Sequence, residues 1–180
     1  MPRYVALFRG INVGKAKRIA MADLRALLAK LGYSDVQTLL NSGNALFTGD
    51  TQPADEHATR IRAAVHKKLG VDALVIVKSA KDIAGVIAGN ELASIATDGS
   101  RLLIALTRDA RALAALKSLA RAQWGEEQLH VGKHAAYMWC ANGILESKVA
   151  VALLRNLDDA GTTRNWSTLN KIHSLLQEKA

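Results

Sequence analysis

The stretch "MADLRALLAKLGYSDVQTLLNSGNALF", residues 21–47, decides the fold of this chain. Its first half carries apolar side chains at helical spacing, namely Met21, Leu24, Leu27, Leu28 and Leu31. Gly32 then fits the position just beyond a helix end. Its second half contains two short strands, 35–40 and 44–49, on either side of "NSG", a hairpin-type turn. A helix followed by an antiparallel hairpin predicts an α+β protein.

The flanking segments extend this pattern. "RYVALF" (3–8) is rich in strand-forming residues, and "DALVIVKS" (72–79) is a strongly apolar strand. Between the hairpin and the last strand, "ADEHATRIRAAVHKKLG" (54–70) is acidic at its start and basic at its end, which suits a helix dipole. The order βαββαβ is the ferredoxin-like pattern, so we expect a first subdomain over residues 1–79. Its antiparallel sheet should contain strands 3–8, 35–40, 44–48 and 72–78, with 3–8 central.

The remaining residues, 80–180, nearly repeat this order. The predicted elements are helix 81–89, strand 101–107, helix 109–123, hairpin strands 127–132 and 135–140, and helix 145–157. A second helix, 165–179, then stands where the last strand of the motif would be. We therefore predict a second α+β subdomain with C-terminal helices. The whole chain should consist of two ferredoxin-like subdomains in close contact.

The composition is that of a globular protein. Of the 180 residues 49% are apolar and 22% are charged, and aromatic residues make up only 4%, so we expect an aliphatic core. No apolar run is long enough to span a membrane, and the N-terminus does not have the form of a signal peptide. The only cysteine, Cys140, excludes an internal disulfide and indicates a reducing, cytoplasmic setting.

Positive charge is concentrated near the N-terminus. The chain has 24 Lys and Arg against 16 Asp and Glu, a net charge of +8, and residues 1–30 hold seven basic residues against Asp23 alone, or +6. Such an asymmetry indicates an anionic partner. A basic surface with no partner is the alternative explanation.

Three motifs together resemble a known family. "ALFRGINVG", the stretch 21–47, and "GTTRNWSTLNKI" are similar to the DUF1697 family of bacterial proteins, from about residue 4 to 176. The resemblance implies an α+β fold like two ferredoxin-like subdomains and no established activity. The chain departs from the family pattern at Lys15, Ala20 and Leu39, where Gly, Pro and Tyr are usual.

The loop "RGINVGKAKR", residues 9–18, is the main candidate for ligand binding. It is not a Walker A loop, because its two glycines are one residue too close and Ala16, not Ser or Thr, follows the lysine. Backbone N–H groups at a Gly-rich turn before a helix can nevertheless bind an anion. The predicted ligand-binding residues here are Arg9, Gly10, Asn12, Gly14 and Lys15, and Lys17 and Arg18 would add further charged donors. In the alternative interpretation, Gly and Asn serve the turn and the lysines are solvated.

Three further polar motifs are candidates for the same site. Ser42 and Asn44 of "NSGN" could form a polar rim beside the first loop, although turn chemistry also explains them. Arg164 and Asn165 precede a helix and could meet the same anion, and the alternative is a helix cap beside a buried Trp. Lys148 is a further basic contact. Its neighbour Ser147 cannot pair with it catalytically, since adjacent helical residues point about 100° apart.

These residues predict a binding module for an anionic, phosphate-bearing ligand, nucleic acid included. The alternative is an enzyme acting on a small phosphorylated or carboxylate substrate, for which no catalytic residue can be named. Base stacking on the sheet is disfavoured because the strands are aliphatic. No metal site, cofactor or membrane partner is predicted, and the sequence does not indicate an oligomeric state.

Overall fold

The computed structural model describes residues 1–178 and consists of two compact units. Among the described residues, the first unit comprises Met1–Lys81 together with residues 172–178, and the second comprises Asp82–Lys171.

The first unit is built on one four-stranded antiparallel sheet. Its elements are β1 (Arg3–Phe8), α1 (Met21–Lys30), β2 (Ser34–Leu39), β3 (Asn44–Thr48), α2 (Ala54–Leu69) and β4 (Val75–Ser79). The strand order is β2-β3-β1-β4, and β1 pairs with β3 and β4 on its two sides. The four predicted strands and the central position of β1 are therefore confirmed.

Alternation along β1 explains how the first core forms. Tyr4, Ala6 and Phe8 belong to the same buried cluster as the apolar side chains of α1 and α2, because every second strand residue points to one face. Leu24 and Leu28 of α1 are fully buried there. Ala20 provides no side-chain cap for α1, which costs some helix stability. Burying a leucine side chain stabilises a fold by roughly 1.5–3 kcal/mol, so the two buried leucines outweigh the missing cap.

A buried polar cluster lies among these apolar residues. The His57 ring is fully buried, with Nδ1 hydrogen-bonded to the Tyr33 hydroxyl at 2.9 Å and Nε2 at 3.5 Å from the Asp50 carboxylate. Burial raises the pKa of the Tyr33 hydroxyl, and the guanidinium of Arg60, 5.3 Å from the centre of its ring, opposes that rise. The Tyr33–His57 hydrogen bond joins α2 to the segment that follows α1. It also gives the buried ring a partner, and buried polar groups are stable only when they are hydrogen-bonded.

The second unit contains another four-stranded antiparallel sheet. The remaining elements of the chain are α3 (Ala80–Ala88), β5 (Leu102–Thr107), α4 (Ala110–Ala115), β6 (Gln128–Val131), β7 (Ala136–Trp139), α5 (Lys148–Leu157), β8 (Gly161–Asn165) and α6 (Trp166–Gln177). A 3₁₀ helix, Leu116–Arg121, follows α4, so the predicted helix 109–123 is only partly α-helical. The strand order is β6-β7-β5-β8.

The prediction that a helix replaces the last strand is wrong. Residues 161–165 form β8, which pairs antiparallel with β5, with Gly161 opposite Thr107. The backbone of Gly161 is extended, and the space beside it is filled. A Cβ atom there would lie 2.5 Å from Leu157 Cδ2 and 3.0 Å from the Leu106 carbonyl oxygen. The glycine therefore allows β8 to approach α5 closely.

Candidate functional site

The loop that follows β1 has an unusual backbone. Gly10, Asn12, Gly14 and Lys17 all have positive φ, at 69°, 56°, 63° and 49°. A Cβ atom at Gly10 or Gly14 would meet nothing within 4 Å. Glycine is therefore favoured there by the backbone conformation and not by close packing. Asn tolerates the left-handed region better than most residues, whereas Lys17 is strained in it. The sequence thus predicted the turn residues of this loop correctly.

The side chain of Asn12 holds the loop in place. Its Nδ2 donates hydrogen bonds to the carbonyl oxygens of Ile19 at 2.9 Å and Asn41 at 2.8 Å, and its Oδ1 accepts one from the Ile19 N–H at 2.8 Å. Both amide hydrogens are used in these bonds. Asn12 was predicted to bind a ligand, but its side-chain amide donors are used to position the loop.

The turn between β2 and β3 lies directly beside this loop. The Phe8 N–H donates to the Gly43 carbonyl at 2.9 Å, and Asn44 Nδ2 donates to the Leu39 carbonyl at 2.8 Å. Gly43 has a φ of 96°, and a Cβ atom there would lie 2.7 Å from Phe8 Cβ and from Ile11 Cδ1. Only glycine lets the turn approach the end of β1 this closely.

A pocket of about 370 Å³ opens where these segments meet the start of α1. It is lined by Asn12, Arg18, Ile19, Ala20, Met21 and Asn41. The first N–H groups of a helix have no partner within the helix, and Ala20 offers them no side-chain oxygen. The pocket is therefore lined by Arg18 and by the first residues of α1, a helix whose start has no side-chain cap.

The loop that borders the pocket is rich in basic residues. Arg18 lines it and is exposed, and Lys15 and Lys17 are exposed on the same loop. Asp23, in the first turn of α1, is the one acidic residue among residues 1–30. A guanidinium and the N–H groups at a helix start are each suited to bind a carboxylate or phosphate oxyanion.

The residues predicted in the first unit occupy different places around this pocket. Arg9 is half-buried at the end of β1, where its N–H donates to the Leu74 carbonyl at 3.0 Å. Lys15 and Ser42 are exposed, and Asn44 is fully buried. Of the residues that line the pocket, Arg18 was expected only as an additional charged donor of the loop, and Asn41 was not among the predicted ligand-binding residues.

Two of the three residues predicted in the second unit, Lys148 and Asn165, have local partners. The Lys148 and Val149 N–H groups, at the start of α5, donate to Glu127 Oε2 at 3.1 and 3.2 Å, so a carboxylate of the chain occupies that helix end. Asn165 Oδ1 accepts a hydrogen bond from the Thr168 N–H at 2.8 Å and caps α6, as the alternative interpretation expected, but Trp166 beside it is only half-buried. Their membership of one site with the first loop stays a prediction.

Arg164, also predicted to bind the ligand, is buried within β8. Its Nη1 donates to Thr162 Oγ1 at 2.9 Å and to the Thr163 carbonyl at 2.7 Å. Burial lowers the pKa of its guanidinium to about 10, because desolvation disfavours the charged form. A sequence motif alone could not show this burial, since it depends on the pairing of β8 with β5.

Three further features bear on other kinds of site. Among residues 1–178, no group of three or more His, Cys, Asp or Glu side chains is placed to hold a metal ion. Within the same residues, no helix is both long and apolar enough to cross a membrane. Cys140 is buried, and burial raises the pKa of its thiol, which is typical of a structural and unreactive cysteine.

The sequence matches a known protein family. The model of the DUF1697 family, described as a protein of unknown function, matches residues 1–137. The chain belongs to this family, which confirms the resemblance seen in its sequence motifs.

A solved structure has the same fold. The conserved bacterial protein SP0830 from Streptococcus pneumoniae superposes with a TM-score of 0.80 and 24% sequence identity, over 98% of this chain and 99% of that one. At this identity the similarity shows the fold alone. No curated protein matches the chain.

Proposed function

We propose that the first unit binds an anionic, phosphate-bearing ligand in the pocket beside the loop 9–19. One observation carries the proposal: Arg18 and the uncapped start of α1 line the same pocket. A phosphate group would accept hydrogen bonds from the guanidinium and from backbone N–H groups at once. The local charge of +6 over residues 1–30 would draw such a ligand to this surface.

The size of the pocket supports a small ligand or one phosphate of a larger one. Pockets for small molecules range from about 300 to 1,000 Å³, and this one measures about 370 Å³. A sugar phosphate or a mononucleotide is of suitable size. A nucleic acid strand would place one backbone phosphate in the pocket and reach other cations outside it.

We also infer that each unit is a ferredoxin-like subdomain. The element order βαββαβ and the sheet order β2-β3-β1-β4 in the first unit support this inference. The second unit has the equivalent order β6-β7-β5-β8, because β8 supplies the strand that the sequence prediction lacked. A cytoplasmic setting is inferred from the single cysteine.

Isothermal titration calorimetry at low salt tests the proposed function. The probes are inorganic pyrophosphate, adenosine monophosphate, adenosine as the control without phosphate, and a short single-stranded oligonucleotide. We expect the phosphate-bearing probes to bind and adenosine not to bind. Tighter binding of the mononucleotide than of the oligonucleotide would favour the alternative of an enzyme with a small phosphorylated substrate.

A matched pair of variants locates the binding. Arg18→Ala removes a cation from the pocket, whereas Lys30→Ala removes one at the opposite end of α1. Loss of one charged hydrogen bond costs about 1.5–3 kcal/mol, which corresponds to a tenfold or larger rise in Kd. We expect that rise in Arg18→Ala and little change in Lys30→Ala. Equal affinities in the two variants would contradict the proposal.

A further inference from the structure

Two of the residues that line the pocket in the first unit have free polar groups. Arg18 and Asn41 belong to neighbouring turns, which the Asn12 amide joins through hydrogen bonds to the carbonyl oxygens of Ile19 and Asn41, at 2.9 and 2.8 Å. Within residues 1–178, neither the Arg18 guanidinium nor the Asn41 side-chain amide has a hydrogen-bond or ion-pair partner. Both groups are therefore available to a ligand.

The volume of the pocket suits a ligand larger than a single phosphate group. Whole small-molecule ligands occupy pockets of about 300–1,000 Å³, and this pocket measures about 370 Å³. A phosphate bound by Arg18 would therefore leave space for a second part of the ligand. The other lining residues limit what that part can be.

Aromatic and acidic side chains are missing from the lining. Among the described residues that line the pocket, none is aromatic and none is acidic. Asp23, in the first turn of α1, is exposed and is not one of them. Nucleobases of single strands are bound chiefly by stacking on aromatic side chains, and an amine is complemented by carboxylates. The lining therefore favours a neutral, hydroxylated group over a nucleobase or an amine.

We propose that the pocket binds a sugar phosphate, whose phosphate contacts Arg18 and whose sugar hydroxyl contacts the Asn41 carboxamide. This inference rests on the proposed function and narrows its ligand class. A guanidinium only donates hydrogen bonds and suits an oxyanion, whereas a carboxamide both donates and accepts, as a sugar hydroxyl does. Asn12 lines the same pocket, but both of its amide hydrogens are already used. Asn41 is therefore the residue that determines specificity for the sugar.

Isothermal titration calorimetry at low salt tests this inference with probes that differ in one part each. The probes are ribose phosphate (ribose phosphorylated at its terminal carbon), methyl phosphate without the sugar, ribose without the phosphate, and adenosine monophosphate with an added base. The variants are Asn41→Ala, which removes the carboxamide, and Gln37→Ala as the matched control. Gln37 is an exposed carboxamide residue of β2 in the same unit and does not line the pocket. Circular dichroism verifies that both variants are folded.

We expect ribose phosphate to bind about three- to tenfold more tightly than methyl phosphate, which is the effect of one additional neutral hydrogen bond. Ribose alone should not bind. In Asn41→Ala the affinity for ribose phosphate should fall to that for methyl phosphate, and the affinity for methyl phosphate should stay unchanged. In Gln37→Ala both affinities should equal those of the natural protein.

Two results would overturn the inference and leave the proposed function intact. They are equal affinities for ribose phosphate and methyl phosphate in the natural protein, and a preference for ribose phosphate that Asn41→Ala retains. Markedly tighter binding of adenosine monophosphate than of ribose phosphate would show that the base is recognised, and would overturn the inference as well. If none of the phosphate-bearing probes bound, the proposed function would fail together with the inference that rests on it.

Discussion

At the scale of single residues, the Asn12 side chain determines the shape of the candidate pocket. Its three hydrogen bonds join the loop after β1 to Ile19 and to Asn41 of the next turn. Ile19 and Asn41 both line the pocket. Asn12 therefore positions the backbone that borders the pocket. Its two amide hydrogens are already used in these hydrogen bonds.

Replacing Asn12 should destabilise the first unit. Asn12→Ala removes the three hydrogen bonds and places an alanine at a φ of 56°, whereas Asn12→Gly removes the same bonds without the backbone strain. A buried group left without its partner costs about 1–3 kcal/mol. We expect a loss of this order in Asn12→Gly and a larger loss in Asn12→Ala.

Urea unfolding followed by circular dichroism measures the free energies of both variants. The difference between Asn12→Ala and Asn12→Gly gives the strain, which should be about 1–2 kcal/mol for a left-handed residue. If both variants were as stable as the natural protein, the hydrogen bonds of Asn12 would not hold the loop.

At the scale of elements, the sequence predicted most of the fold but missed β8. Strands such as β1 and β5 were recognisable because they are apolar and bounded by turn residues. "GTTRN" has no apolar alternation, and its glycine and asparagine resemble helix caps. Its strand conformation comes from pairing with β5, more than fifty residues earlier in the chain, which a local pattern cannot show.

Tyr137 connects two elements of the second unit and should make its stability fall at alkaline pH. The hydroxyl of Tyr137, in β7, donates to the Val86 carbonyl of α3 at 2.6 Å. Burial, with a smaller effect of the Glu91 carboxylate, raises the pKa of this hydroxyl to about 12. The unfolded chain loses that proton near pH 10, so folding becomes less favourable as the pH rises from about 10 to about 12.

The variant Tyr137→Phe isolates this effect. It should be less stable at neutral pH, by about 1–3 kcal/mol, because the Val86 carbonyl loses this donor. Its free energy of unfolding should decrease less steeply above about pH 10, since no Tyr137 proton remains to be lost. Urea titrations of both proteins across this pH range provide the comparison. Parallel curves would show that Tyr137 does not titrate on unfolding.

At the scale of the whole molecule, the distribution of charge can be read from the sequence. The set of residues that line the pocket cannot, because it depends on how the chain folds. The excess of +6 in residues 1–30 pointed to the segment that also borders the candidate pocket. The pocket itself requires Asn41 to lie beside Asn12, twenty-nine positions away, through a hydrogen bond that no motif encodes. Arg18 was visible as one cation of a basic run, but only the folded loop distinguishes it from its neighbours.

The salt dependence of binding tests whether this charge attracts the ligand. Charges are screened over about 10 Å at 0.1 M salt, so affinity for pyrophosphate should fall as sodium chloride is added. The dependence should be less steep in Arg18→Ala and in Lys15→Ala, each of which removes one cation of the loop. Lys30→Ala should keep the slope of the natural protein. Binding that does not change with salt would exclude an electrostatic contact.

Amide chemical-shift mapping tests the central claim, an anion site at the start of α1, most directly. Pyrophosphate is titrated into ¹⁵N-labelled protein and the amide signals are followed by NMR. We predict that the largest shifts occur at the N–H groups of residues 18–23 and of Asn41, which line or adjoin the pocket. Absence of shifts at high ligand concentration, or shifts confined to the start of α5 around Lys148, would contradict this account.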